Sequence, residues 1–161
     1  MKYLVIVLLL AGCGAAPNTE VRTMTLQSQT VPAQILGENP DWKAAYNNVQ
    51  LNAAAVEELK NAQPAHVDVY LGVWCGDSRR EVVRHFRLNE TGEMPFTTTY
   101  ISLGRDFGTS TDVALEAVPT FVVTRDGKEL GRIVESSPTT LEEDLAGLLS
   151  GRLSGRVSAS R

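Results

Sequence analysis

Val67-Asp68-Val69-Tyr70-Leu71-Gly72-Val73-Trp74-Cys75-Gly76-Asp77-Ser78 is the stretch on which the reading of this chain turns. Val67, Val69, Leu71 and Val73 alternate with Asp68, Tyr70 and Gly72, the period of a strand. The chain then breaks at Trp74-Cys75-Gly76-Asp77 and continues with helical spacing to about Leu88, placing Val82, Val83 and Phe86 on one inward face. A cysteine at such a strand-to-helix break has a physical advantage as a nucleophile, because the unpaired backbone N–H groups and the positive dipole end favour thiolate over thiol. Trp74 beside it can shield one side of the sulfur and leave the other approachable.

Outward from this stretch the pattern predicts an α/β domain. A second strand, rich in β-branched residues, is expected over Thr97 to Leu103, parallel to the first. Gly104 to Ser110 reads as a loop and Asp112 to Ala117 as a short helix. Thr120 to Thr124 and Glu129 to Glu135 form a hairpin through Arg125-Asp126-Gly127-Lys128, where Asp-Gly is a strong turn signal. Leu141, Leu145, Leu148 and Leu149 mark the last helix. Before the first strand, Asn39-Pro40 starts a helix whose stripe runs through Trp42, Tyr46, Val49, Ala53 and Val56. The domain is therefore expected over 39–150, with a fraying tail over 151–161.

The start of the chain reads differently. Met1-Lys2, an apolar run from Tyr3 to Leu10, and the small pair Ala11-Gly12 before Cys13 have the form of a secretory leader over 1–12, too short to span a bilayer. Leu10-Ala11-Gly12-Cys13 resembles the lipobox of bacterial lipoproteins, which implies that Cys13 carries lipid and becomes the mature N-terminus. The competing reading is an ordinary leader with an accidental cysteine. Residues 13–38 are expected to be the lipidated end and a polar tether. The expected location is the cell envelope, and the outer membrane facing the periplasm in a Gram-negative cell, since Gly14 follows the lipidated position.

With Cys13 committed to lipid, Cys75 is left as a lone thiol. Across 161 residues, 15 Lys and Arg against 19 Asp and Glu give a net charge of -4, with no basic stripe, so nucleic acid is not an expected partner. The composition, 43% hydrophobic and 21% charged, is that of an ordinary globular chain. Neither histidine forms a metal cluster with Cys75. His85 lies ten helical residues beyond it, about 15 Å at 1.5 Å per residue, too far for a general base, and His66 sits at the far end of the strand. No residue pattern points to a cofactor.

Trp74-Cys75-Gly76-Asp77-Ser78 after a strand and Val118-Pro119-Thr120-Phe121 before a hairpin together resemble the thioredoxin superfamily. The narrower run Trp-Cys-Gly-Asp-Ser-Arg-Arg-Glu-Val, with Gly131-Arg132-Ile133-Val134-Glu135, is similar to a group of bacterial thioredoxin-like proteins. The resemblance implies a thioredoxin-like fold, a central mixed sheet with helices on both faces. It implies Cys75 as the active cysteine and a cis Val118-Pro119 bond beside it. Trp74, Val118 and Pro119 would then be the platform for a substrate chain. A lone cysteine is usually a small buried hydrophobe, but Trp74 before it and Val118-Pro119 later argue for an active position.

The departures are informative. The second thioredoxin cysteine is replaced by Ser78, so Cys75 can attack a disulfide but cannot release the product by closing an internal one. Ser78 is read as a catalytic helper that bonds the thiolate, or as a helix cap. The family's buried acid is replaced by Val69, with Asp68 on the opposite face. Arg79, Arg80, Arg84 and Arg87 read as anion-favouring groups or as a solvated helix face. Cys75-Gly76-Asp77-Ser78 also fits monothiol glutaredoxins, but their downstream Gly-Gly-Asp is missing. The expected function is monothiol thiol-disulfide exchange with exported proteins that carry thiols or disulfides, the membrane being met through the N-terminal lipid. The alternatives are a redox-inactive binding module and an envelope assembly partner.

Overall fold

In the computed structural model, residues 28–29, 31–107 and 113–159 are described. The leader, Cys13 and most of the expected tether lie outside them. In chain order the elements are β1 (Ser28–Gln29), α1 (Pro32–Glu38), α2 (Pro40–Asn47), α3 (Ala53–Lys60), β2 (Ala65–Leu71), α4 (Gly76–Glu90), β3 (Phe96–Ser102), β4 (Thr120–Arg125), β5 (Lys128–Val134), α5 (Leu141–Ser150) and β6 (Gly155–Val157). The strands form one mixed sheet in the order β1-β3-β2-β4-β5-β6. β2 and β3 are parallel, with Val69 opposite Tyr100, and β4 is antiparallel to both β2 and β5. Asp126 and Gly127 both take positive φ (51° and 74°), which the two-residue turn between β4 and β5 requires.

The strand alternation decides where the core lies. Val67, Val69, Leu71, Phe121, Val123 and Ile133 point to one face, where they pack with helix residues such as Trp42, Leu59, Val82, Phe86, Leu145 and Leu148. The opposite face holds a smaller cluster of Tyr70, Leu103, Val118 and Val122, with Ile101, Phe107, Val113, Leu115 and Cys75 against it. Among the described residues the five α-helices pack on the first face, where the expectation put helices on both. Among the described residues, Val113–Ala117 is not helical, and Val113 and Leu115 lie against this face of the sheet.

Three further expectations are corrected. The tether does not extend to residue 38: Ser28 and Gln29 pair with Ser102 and Ile101, and Ile35 of α1 is buried in the core. The C-terminal tail is not a fraying end: β6 pairs with β5 and Val157 is buried. A Cβ at Gly131 would lie 2.6 Å from the Gly155 carbonyl, so a glycine there is what lets β6 approach. The apolar stripe from Trp42 to Val56 is two helices. Asn52 interrupts it as the N-cap of α3, its side chain accepting from the Ala54 and Ala55 N–H groups at 3.1 and 3.3 Å. Asn39 is the N-cap residue of α2 with Pro40 after it, as expected, but its side chain makes no capping bond and donates its amide to the Ile35 carbonyl.

α4, which carries Cys75 at its start, is held to its neighbours by charge as well as apolar packing. The Arg84 guanidinium grips Glu142 of α5 at 2.5 and 3.2 Å, and Glu142, fully buried, also accepts from the Asn52 N–H at 2.7 Å. One carboxylate therefore joins α3, α4 and α5, and it is stable in the core because every side of it is matched.

Candidate functional site

The site forms where β2 gives way to α4. Leu71 is the last strand residue, and the chain turns through Gly72 to Cys75, whose N–H donates to the Gly72 carbonyl at 2.9 Å. Cys75 is the N-cap of α4 in an extended conformation, and its side chain makes no capping bond. The thiol is thus left for other work, at the end of a 15-residue helix. It is half-buried, and Sγ lies 3.3 Å from the Val118 carbonyl, to which it donates. The Val118-Pro119 bond is cis. Both residues are buried, so what they present to the sulfur is the Val118 carbonyl. The Pro119 carbonyl is taken by the Glu135 N–H at 2.8 Å, which ties this loop to the end of β5. Of the expected site residues, the structure sets Cys75 against Val118 of the cis Val118-Pro119 bond, while Trp74, its chain neighbour, turns its ring to Leu103 and Phe107.

Ser78 is placed otherwise. It is fully buried, and its Oγ accepts from the Gly72 N–H at 3.1 Å. The hydroxyl therefore serves the end of β2, satisfying a backbone donor that the sheet no longer pairs. Its described partner is the strand and not the sulfur, so the helper role becomes a positioning one: Ser78 fixes the turn from which Cys75 projects.

Trp74, the residue before the cysteine, is anchored to the segment after β3. It is 38% exposed, a large apolar ring left in solvent, yet it is held at three points. Its indole N–H donates to the Leu103 carbonyl at 3.0 Å, its ring stacks on Phe107 with centroids 6.5 Å apart, and the Arg105 guanidinium lies 4.6 Å from the ring centre. A Cβ at Gly72 would come within 2.7 Å of this ring, so Gly72 is the residue that gives the indole its seat.

The arginine run of α4 does not converge on the thiol. Arg79 pairs with Asp41, Arg80 with Asp77 and Glu81, Arg84 with Glu142, and Arg87 with Glu90. Arg80 also donates to the Ser136 hydroxyl at 2.6 Å. The run is a paired surface and an interhelical joint. Burial raises the Glu81 carboxyl above its ordinary value, and the Arg80 guanidinium works against that shift.

His85 is a core residue. It is fully buried among Phe96, Phe121 and Tyr100, with Nδ1 2.9 Å from the Tyr100 hydroxyl and Nε2 without a partner. Desolvation drives its imidazole down to about 3, so it is neutral at any ordinary pH. His66 lies on the face of the Tyr70 cluster, its ring nitrogens 2.7 Å from Thr97 Oγ1 and 3.1 Å from Asp68 Oδ1. The residues that sequence reasoning missed are Leu103, Arg105 and Phe107. Their one signal was position, in the loop directly after a strand parallel to the one that ends at the cysteine.

The chain matches no protein-family profile and no curated protein. Two solved structures are similar to it. One is a protein of unknown function from Pseudomonas aeruginosa, 20% identical, with a TM-score of 0.55 over 77% of this chain and 84% of that one. The other is an HIV epitope-scaffold, also 20% identical with a TM-score of 0.55, over 78% of this chain and 86% of that one. What the three chains share is an α/β fold.

Proposed function

We propose that this chain is a thioredoxin-like protein, anchored to a cell-envelope membrane through lipid on Cys13, whose Cys75 exchanges disulfides with exported proteins as a monothiol. The observation that carries this reading is the half-exposed Cys75 at the start of α4 with its Sγ against the Val118 carbonyl of a cis Val118-Pro119 bond. A sulfur so placed is open on one side and bordered by backbone on the other. That backbone can orient an incoming chain beside the reacting sulfur.

The chemistry balances without a cofactor. The Cys75 thiolate, its proton given to solvent, attacks one sulfur of a substrate disulfide. The old S–S bond breaks as the Cys75–substrate bond forms, and the departing sulfur leaves as a thiolate that takes up a proton. Release needs a second thiol, either another substrate cysteine, which gives isomerisation, or an external low-molecular-weight thiol, which gives reduction.

A second reading, a binding or assembly module without redox turnover, is favoured by one observation: the place of a resolving cysteine is filled by Ser78, already bonded to Gly72. An insulin-reduction assay separates the two. The wild type should accumulate Cys75-linked mixed disulfides and turn over only with added small thiol; Cys75→Ala should trap nothing. Ser78→Cys should gain an internal dithiol and turnover of its own, since positions three apart at a helix start can be bridged. If the wild type traps no substrate and Ser78→Cys neither closes the bond nor gains activity, the binding-module reading stands.

A further inference from the structure

Among the described residues, every arginine but one donates to a carboxylate or a carbonyl. Arg79, Arg80, Arg84, Arg87, Arg132, Arg152 and Arg156 have acidic partners, and Arg125 donates to the Gln63, Pro64 and Leu149 carbonyls. Arg105 is the exception. It is exposed, and its recorded interaction is the stack over the Trp74 ring. An aromatic face holds a guanidinium in place through cation–π attraction and uses none of its N–H donors. The fork is thus pre-oriented and still open along its edges, on the residue next to Cys75. Among the described residues no carboxylate forms an ion pair with it: Asp77, two residues beyond the cysteine, is held by Arg80 at 2.8 Å, and the neighbouring Asp106, itself exposed, is not paired with Arg105.

We propose that Trp74 and Arg105 form a carboxylate-reading clamp, so that Cys75 prefers disulfides carrying an acidic group beside the reacting sulfur. The proposal rests on the exchange reading above and adds the substrate class to it. A planar guanidinium with free donors matches a carboxylate in two-pronged geometry. The Trp74 stack lowers the conformational cost of that match, because the arginine is ordered before the substrate arrives. The carboxylate can belong to a Glu or Asp flanking a polypeptide cysteine or to a small anionic disulfide, and both present the same group to the same fork.

The test measures the rate at which Cys75 of the mature domain forms mixed disulfides with two matched pairs of probes. One pair is capped peptide disulfide dimers that differ only in Glu or Gln beside the cysteine. The other is dithiobis(nitrobenzoate), which is anionic, and dithiodipyridine, which is not. Comparing variants with wild type cancels the intrinsic reactivity of each probe. Arg105→Gln should cut the preference for the acidic member by about fivefold and leave the neutral member within about twofold, and salt should erode the wild-type preference in the same way. Arg105→Lys, which keeps the charge but loses the fork, should recover part of the preference. Loss in the peptide pair assigns the clamp to polypeptide substrates, and loss confined to the small pair assigns it to small anionic disulfides. Equal rates for both members in the wild type, or equal slowing of both in Arg105→Gln, would overturn the clamp while leaving exchange intact. No labelling of Cys75 by any probe would overturn exchange and clamp together.

Discussion

The two faces of the sheet are built from alternate residues of the same strands and have opposite characters. Phe121 and Val122 are neighbours in β4, yet Phe121 sits in the five-helix core and Val122 in the small cluster under the loop after β3. The helical face buries large side chains completely. The loop face buries only a few, keeps His66, Asp68 and Arg132 part-exposed, and carries the thiol, the indole and the free guanidinium at one end. Stability and chemistry are thereby divided between surfaces one residue apart in sequence, and the chemical surface can change with little effect on the other.

That division can be broken most directly by truncating the two neighbours. Phe121→Ala should cost about 3–5 kcal/mol, because a fully buried ring leaves a cavity among helices that cannot collapse around it. Val122→Ala should cost about 1 kcal/mol, since its packing is against loop that can settle. Urea midpoints of the two variants check this, and comparable losses would show that the loop face is as tightly built as the helical one.

The next effect in size is a pH dependence confined to the helical face. The folded-state value of His85 lies near 3, below its ordinary 6.5. Above 6.5 both states are neutral and the residue contributes no slope. Below it the unfolded chain binds a proton that the folded chain refuses, so stability falls as pH drops, by about 3 kcal/mol at pH 4. His85→Phe should flatten this part of the profile, measured as the difference between variant and wild-type denaturation midpoints from pH 7 to pH 4. Parallel profiles would mean that the imidazole accepts its proton without unfolding.

The smallest expected effect concerns the joint between helices. Asn52→Ala should cost about 1 kcal/mol through the lost cap of α3. It also removes the Asn52 amide bond to Glu143, and leaves the Arg84–Glu142 pair in place. Thermal melts with Cys75 alkylation in parallel would sharpen the comparison: the melting temperature should fall while the alkylation rate holds.

What was legible in the sequence was what short-range chemistry dictates. The strand before Cys75, the helix after it and the Asp126-Gly127 turn each depend on neighbours within a few residues, and each is where the pattern placed it. What was not legible depended on partners far along the chain. Ser28–Gln29 and Gly155–Val157 carry little hydrophobic signal and become strands only because β3 and β5 offer them open edges. Asp112 to Ala117 has a helical composition, but Val113 and Leu115 are drawn to the sheet by the Tyr70 cluster instead. At the site, Trp74, Cys75 and the cis Val118-Pro119 bond were readable from motif. The destination of the Ser78 hydroxyl was not, because the donor it meets, the Gly72 N–H, is set free only by the way β2 ends.

The margins of the sheet have a consequence for how this protein tolerates company. β3 and β5, each seven residues long, would offer a row of unpaired N–H and C=O groups to any passing strand. β1, two residues, lies along one of them and β6, three residues, along the other. Among the described residues β1 pairs only with Ser102 and Ile101 of β3, and β6, parallel to β5, only with Gly131, Arg132 and Ile133. Each margin is therefore a long strand that a short one covers only in part, and the N–H and C=O groups along the remainder are where a passing strand would add to the sheet.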